Sequence, residues 1–375
     1  MDAVTGLLSA QRAEGAFVLR SLLVPPWSVR VEDDSPLTLV VLTRGTGWLT
    51  PDGRPPQRLE QGDALLVRGG RGYELADEVT TPPQAVIGPG QVCRKPDGSP
   101  LSDFRDLGVR SWGNARLDAA PGTVLLTGSY PDTTQVSRHL VAHLPEVVVV
   151  RDREAGPTVR SLVDLLAGET AGDQAGQGAV LDRLVDVLTV ALLRAWFARD
   201  EAQPPPWYAA HDDPVVGPAL RLLHHEPERP WTVARLAAEG GVSRATFARR
   251  FTELVGEPPM AYLTRWRLDL AADVLRDGDA TVAAVARRAG YGSPYSFSTA
   301  FTRQHGVPPS VFRRGGSAGG ERLHAPQRDQ ALGEGGHRRV DGDQRVGLQP
   351  GDGQVLRLVQ GVPAVLPGDP PGGPA

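Results

Sequence analysis

The chain is predicted to be a multi-domain α+β protein. A strand-rich N-terminal half gives way to helices and then to an all-α C-terminal part. Three observations predict this. Over residues 1–150, short apolar runs alternate with turn signals. From residue 157 the apolar residues recur with a helical period. Between residues 231 and 314 the sequence repeats itself, in units with helix-turn-helix grammar.

The strand-rich half shows Leu37–Leu42, Ala64–Val67, Val124–Leu126 and Val147–Val150 as apolar runs. Pro51-Asp52-Gly53, Gly69-Gly70 and Pro121-Gly122 fall between them as breakers. Short strands at this spacing predict an antiparallel sandwich or barrel. A short helix is expected over Val159–Leu166. Beyond Gly168–Gly178, Leu181, Leu184, Val185, Leu188, Leu192 and Trp196 recur every three or four residues, which predicts an amphipathic helix. Pro204-Pro205-Pro206 reads as a stiff linker. Residues 315–375 hold 15 Gly and 7 Pro in 61 positions. That exceeds the ~25–30% typical of low-complexity chains, so this tail is expected to be disordered. The expected division is 1–150 (strands), 151–203 (helical segment), 204–314 (all-helical) and 315–375 (tail).

Composition narrows the setting. The 375 residues include one Cys, which excludes an internal disulfide framework and a zinc site built on several thiolates. Met1–Phe17 carries Asp2, Arg12 and Glu14 without a long apolar core, so no signal peptide is expected. No stretch approaches ~18 uncharged apolar residues, so no membrane span is expected either. A reducing, cytoplasmic location follows as the expectation. The formal net charge of −4 argues weakly against nucleic acid, but it is an average. Residues 1–210 hold 20 basic and 26 acidic residues, whereas 211–314 hold 14 and 11. The sign reverses in the repeat-bearing segment, where every basic residue is Arg.

The repeat is the most informative feature. Thr232-Val233-Ala234-Arg235-Leu236-Ala237 aligns with Thr281-Val282-Ala283-Ala284-Val285-Ala286, and Gly241 with Gly290. After a one-residue insertion in the turn, Ser243 meets Ser293, Phe247 meets Phe297 and Phe251 meets Phe301. Gly256 meets Gly306, and Pro258-Pro259 meets Pro308-Pro309. In each unit a first helix buries its Val, Leu and Ala positions. A Gly then permits the positive φ of a tight turn, and a Ser caps the second helix. That second helix buries two Phe one turn apart and leaves its other faces free. In this motif the second helix enters the major groove of double-stranded DNA. A helix over Met260–Leu275, with Leu263, Trp266, Leu270 and Val274 as its apolar stripe, is expected to join the units. At ~1.5 Å per residue it would place the reading helices about one DNA turn apart.

Residues 212–314 resemble the AraC/XylS-type DNA-binding domain. The likeness rests on Asp213-Pro214, Trp231-Thr232-Val233, Leu236-Ala237, Gly241-Val242-Ser243-Arg244 and Phe247-Ala248-Arg249-Arg250-Phe251. It continues through Gly256, Pro259, Tyr262-Leu263, Arg267, Ala271, Gly290-Tyr291, Ser293, Phe297, Ala300-Phe301, Gly306, Pro308-Pro309 and Arg313. The resemblance implies a bacterial transcription regulator. Carried over by position, Ala245, Ala248 and Arg249 would face the groove in the first unit, with Arg244 and Arg250 on phosphates. In the second unit the matching positions are Pro294, Tyr295, Ser298 and Thr299, with Arg303 near the backbone. Here the chain departs from the family, which often carries Arg or Lys at the position of Thr299 and an acidic or amide residue at that of Pro294. The second unit is therefore expected to supply mainly backbone contacts.

The N-terminal half resembles the cupin-type sensor domain of one AraC subgroup. The likeness rests on Glu14-Gly15-Ala16-Phe17, Pro25-Pro26-Trp27, Gly47-Trp48-Leu49, Leu59-Glu60-Gln61-Gly62-Asp63, Gly128-Ser129-Tyr130, Leu144-Pro145 and Leu193-Arg194-Ala195-Trp196. The resemblance implies a small β-barrel that senses a small-molecule effector, followed by helices that form a homodimer. Activation and repression are both compatible with it, and RNA polymerase is a further candidate partner. The alternative is a metal-dependent cupin enzyme fused to a DNA-binding module. Against it, no His precedes His139, and no His-x-His occurs in 30–50. When the second cupin motif is laid on Gly62, Arg68, Gly70 and Tyr73, Tyr73 replaces the usual His ligand. No metal, cofactor or catalytic residue is expected. His139 and His143, His224-His225 and a loop Cys93 are read as structural or incidental, and Glu32-Asp33-Asp34 beside Arg30 as a solvated turn.

Overall fold

The computed structural model describes residues 17–108, 110–115, 121–130, 140–277 and 280–314. The chain divides into two compact units. Among the described residues, one comprises 17–130 and 146–192, and the other 140–145, 193–277 and 280–314. The 315–375 tail and His139 lie outside the described residues.

The first unit contains thirteen described strands: β1 (Phe17–Leu23), β2 (Ser28–Val31), β3 (Leu37–Arg44), β4 (Gly47–Pro51), β5 (Gln57–Leu59), β6 (Ala64–Arg68), β7 (Tyr73–Ala76), β8 (Ala85–Gly88), β9 (Val92–Arg94), β10 (Arg105–Gly108), β11 (Ser111–Gly113), β12 (Thr123–Tyr130) and β13 (Val147–Val150). They form two sheets, ordered β10-β11-β1-β12-β3-β6-β13 and β5-β4-β7-β2-β8-β9. Pairing is antiparallel except for β1 with β11 and β2 with β8. Leu19, Leu23, Trp27, Val29, Val40, Leu49, Leu65, Tyr73, Leu75, Trp112 and Leu125 come from both sheets and form one core. The four expected apolar runs fall on β3, β6, β12 and β13. Of the remaining strands, some, such as Gly47-Trp48-Leu49-Thr50-Pro51, alternate buried and half-buried residues and lack a continuous run, whereas β8 is short and buried throughout.

β3 is buried along six successive residues because both its faces are covered. Leu39 pairs with Gly128 of β12, and helix α2 (Gln177–Phe197) lies against that face. A Cβ at Gly128 would stand 3.1 Å from Val185, so the missing side chain is what lets the helix approach the strand. Leu181, Val185, Leu188 and Leu192 are buried on this side, while Val180 and Val187 of α2 remain 44% and 47% exposed. Helix α1 (Asp152–Ala171) precedes α2. It is longer than the expected Val159–Leu166, and its first turn is set off by a break at Gly156. Tyr130 at the end of β12 bonds the Thr189 hydroxyl (2.9 Å) and donates to Asp186 (3.4 Å). Burial pushes the Asp186 carboxyl up to about 6.

The second unit is helical: α3 (Pro206–Ala209), α4 (Val216–His225), α5 (Val233–Glu239), α6 (Arg244–Val255), α7 (Pro259–Asp277), α8 (Val282–Arg288) and α9 (Pro294–His305). It has two main cores, with Trp266, Trp207 and Leu270 forming a smaller cluster. The first gathers Leu220, Leu223, Trp231, Leu236, Ala237, Phe247, Phe251, Tyr262 and Leu263. The second gathers Leu268, Ala271, Ala272, Leu275, Val285, Ala286, Phe297 and Phe301. The joining helix α7 serves both: its N-terminal half packs into one core and its C-terminal half into the other. This corrects the single expected stripe, of which Leu270 and Val274 are only half-buried.

Candidate nucleic-acid interface

The two repeat units are built alike at their helix starts and turns. Thr232 caps α5 by accepting from the Arg235 amide (3.2 Å), and Thr281 caps α8 from the Ala284 amide (3.2 Å). Ser243 caps α6 from the Thr246 amide (3.1 Å), and Ser293 caps α9 from the Ser296 amide (3.1 Å). Each cap satisfies an amide that the first helical turn leaves without a partner. Between the helices Gly241 and Gly290 stand at φ +65° and +75°, where an L side chain is strained. Phe247 and Phe251 anchor α6, and Phe297 and Phe301 anchor α9; all four have no exposed surface. The opposite face of each second helix is thereby turned to solvent.

On α6, Arg244, Ala245, Arg249 and Arg250 are exposed and Ala248 is half-buried. Arg244 has no ion pair among the described residues. Arg249 donates through one terminal nitrogen to both oxygens of Glu253, at 2.8 and 3.1 Å. Both side chains are more than half exposed, so the pair is weak and readily exchanged. Arg250 is held differently. It donates to both Asp213 oxygens at 2.6–3.2 Å. Asp213 Oδ1 also accepts from the Val215 and Val216 amides (2.9 Å each) at the start of α4. The Arg250 guanidinium, followed by those amides, holds the Asp213 carboxyl down at about 2. The pair fastens α6 to α4 across 37 residues of sequence. Sequence reasoning saw both residues and missed their partnership; the only sequence signal was Asp213-Pro214, an N-cap-like residue ahead of a helix.

On α9, Pro294, Tyr295, Thr299 and Arg303 are exposed and Ser298 is half-buried. Tyr295 is 83% exposed, the most open large hydrophobic side chain of the described residues. Arg303 has no ion pair among them. Behind the two surfaces, three polar links fix α7. Arg265 donates to Glu257 (2.6 Å), Arg267 to the Pro227 and Arg229 carbonyls (2.5 and 2.8 Å), and Gln304 to Asp269 (2.6 Å). His224 is buried, bonds the Tyr262 hydroxyl (2.5 Å) and packs against Trp266 with the rings tilted at 42°.

In the strand-rich unit, Tyr73, which the sequence lays on the position of a cupin His ligand, is 5% exposed in the core. Among the described residues no three His, Cys, Asp or Glu side chains are grouped to hold a metal ion. Cys93 is not in a loop, as expected, but on β9, whose pairing with β8 turns it into the core. Burial pushes its thiol up to about 12. The acidic run is also more than a solvated turn: Asp33 accepts from the Ser35 amide and hydroxyl and from Gln91, while Arg30 pairs with Asp52. The core retains a cavity of about 30 Å³, lined among others by Asp33, Tyr73, Gln91, Trp112 and Ser129.

Comparison with known proteins agrees with both halves. Residues 2–198 match the cupin family and residues 236–315 a helix-turn-helix domain family. An AraC-like transcription regulator of Streptomyces lividans is 34% identical over 290 residues, 77% of this chain and 90% of that protein. A second from Streptomyces antibioticus is 32% identical over the same shares. The solved DNA-binding domain of AdpA, in complex with a target DNA, is 36% identical, covering 28% of this chain and 96% of that one, with a TM-score of 0.27. The chain belongs to the AraC-type family of DNA-binding transcription regulators, in the form that joins an N-terminal cupin domain to a C-terminal double helix-turn-helix.

Proposed function

We propose that α6 and α9 read two adjacent major-groove segments of one operator. The observation that carries this is the duplication: two capped, Phe-anchored helices, each with one face open to solvent, stand on either side of a single joining helix. In the first unit Arg249 reads a base edge, Arg244 neutralises a phosphate, and the small Ala245 and Ala248 allow close approach. Arg250, held by Asp213, sets the pose of α6. In the second unit Pro294, Tyr295, Ser298 and Thr299 face the groove and Arg303 the backbone. The test is a mobility-shift titration of the full chain on its gene's upstream region. Operator binding well above scrambled DNA is expected; equal affinity for the two would sink the proposal.

The N-terminal half is proposed to sense a small-molecule effector and to act without catalysis, since the cupin ligand position holds a buried phenol. The core cavity of about 30 Å³ is far below the ~300–1,000 Å³ of typical ligand pockets, so an effector of ordinary size would enter it only with rearrangement of the core. Metal analysis of the purified protein should find no stoichiometric Fe, Mn or Zn. Homodimerisation is proposed through α2, by the outward face that carries Val180, Leu184, Val187 and Ala191. The Leu181–Leu192 side of that helix is already spent on the barrel. No described helix is long and apolar enough to cross a membrane. Action on chromosomal DNA in the cytoplasm, with RNA polymerase as a partner, completes the proposal.

A further inference from the structure

The second reading helix carries several hydroxyl groups, and four of them are engaged by the helix itself. Ser293 Oγ accepts from the Ser296 amide, and Ser296 Oγ donates to the Ser293 carbonyl (3.0 Å). Thr299 Oγ1 donates to the Tyr295 carbonyl (3.1 Å) and Thr302 Oγ1 to the Ser298 carbonyl (2.8 Å). With its hydroxyl proton committed to the Tyr295 carbonyl, exposed Thr299 presents its γ-methyl and acceptor lone pairs, but no donor, to an incoming ligand. Pro294 offers a ring, and Tyr295 an aromatic face that is 83% exposed. No cationic side chain occurs between Ser293 and Thr302. The leading turns of α9 are therefore an uncharged surface dominated by apolar and aromatic groups, with Ser298 and the Tyr295 phenol as its polar points, unlike those of α6 with Arg244 and Arg249.

We infer that α9 reads DNA through thymine methyl groups, with Tyr295 and Thr299 as the specificity-determining residues. The inference rests on the proposal that α9 enters the major groove. Of the four bases, thymine alone presents an apolar group there, its C5 methyl, and apolar side chains distinguish it on that ground. The base preference of the second unit is then for thymine at one or two positions, where the first unit prefers guanine. This differs from the expectation that the second unit supplies mainly backbone contacts.

The test uses the full chain and an operator selected from random DNA. Each thymine is replaced singly by deoxyuridine, which pairs identically but lacks the methyl. At one or two positions uracil is expected to weaken binding roughly three- to fivefold, the worth of one buried methyl. Tyr295→Ala should bind more weakly and become indifferent to uracil at such a position. Thr299→Ser keeps the hydroxyl bond to the Tyr295 carbonyl and removes only the methyl, so it should blunt the uracil effect without disturbing the helix. Arg249→Ala should leave the uracil effect intact. Uracil tolerated at every position, or costing the same in wild type and both α9 variants, overturns the methyl readout while DNA reading stands. Tyr295→Ala weakening all duplexes evenly, with the uracil effect unchanged, would mark a phosphate contact and overturn it too. Selection that returns no preferred sequence overturns the groove-reading proposal itself.

Discussion

Arg249 and Arg303 are both exposed arginines on second helices, but their places differ. Arg249 lies in the second turn of α6, beside Ala245 and Ala248, in the part of the helix that the proposed docking brings to base edges. Arg303 lies near the C-terminal end of α9, beyond the turns that would enter the groove. Removing Arg249 should therefore relax base preference at one position, at about 1–3 kcal/mol for a lost bidentate pair with guanine. Removing Arg303 should weaken binding evenly across sequences and lower the salt slope by about one. Quantitative titration of Arg249→Ala and Arg303→Ala on an operator and its single-base variants checks this, and identical profiles would reverse the assignment. Arg250 belongs to neither class. Its carboxylate partner is 12% exposed and also caps α4, so Arg250→Ala should lower the melting midpoint of the helical unit while preserving the rank order of DNA sequences. A pure phosphate contact would leave that midpoint unchanged. The sign of the pH dependence follows from Asp213. Its folded pKa of about 2 lies below the ordinary value of 3.8, so its stabilisation is present above about pH 4. It is lost as pH falls toward 2.

Elements differ in how far the sequence announces them. The helix-turn-helix units were legible because burial there is one-sided and duplicated: the Phe pairs, the Ser caps and the turn glycines recur at matching positions. Strands such as β1, β4 and β7 were not marked, because their buried residues alternate or are interrupted by polar groups. The partnership of Arg250 with Asp213 was hidden for another reason. It joins residues 37 apart, and nothing local in either segment specifies the other. The helix α2 shows both sides of this. Its apolar period predicted an amphipathic helix, but that period is silent about the strand it packs against. The room made for Val185 comes from Gly128, 57 residues earlier, so only the packing shows which face meets the barrel. That packing buries Asp186 beside Tyr130 and Thr189, with Asp182 nearby and Arg183 3.9 Å away but largely exposed. The folded pKa, about 6 against an ordinary 3.8, is raised, so the stabilisation is full below about pH 4 and lost as pH rises through 6. The barrel unit should melt at a higher temperature at pH 5 than at pH 7.5. Asp186→Asn retains an acceptor for Tyr130 and removes the charge. It should flatten that dependence and stabilise the unit at pH 7.5 by up to about 3 kcal/mol. Equal pH profiles for the two proteins in thermal melts would show that the carboxyl is not the titrating group.

At the scale of the whole molecule, a modestly basic reading segment must compete with an acidic remainder. Residues 211–314 carry 14 arginines against 11 carboxylates, while the chain as a whole is at −4. On the proposed homodimer, two linked copies would gain affinity through effective concentration without new contacts within either copy. The outward face of α2 has the spacing for such a link. Val180, Leu184, Val187 and Ala191 follow one another at intervals of four, three and four, which is the seam period of paired helices. Val180 and Val187 are 44% and 47% exposed in the single copy. An Asp at position 187 should therefore leave the monomer folded, but place two carboxylates in the seam of a dimer. Val187→Asp is expected to sediment as a monomer where the wild type sediments as a dimer. Its preference among single half-operators should be unchanged. Its advantage on an operator with two such sites should fall by about 10²-fold or more, the usual range of lost avidity. A variant that still sediments as a dimer would place the interface elsewhere. A monomeric variant with undiminished affinity for the double site would show that the two copies do not act together on DNA.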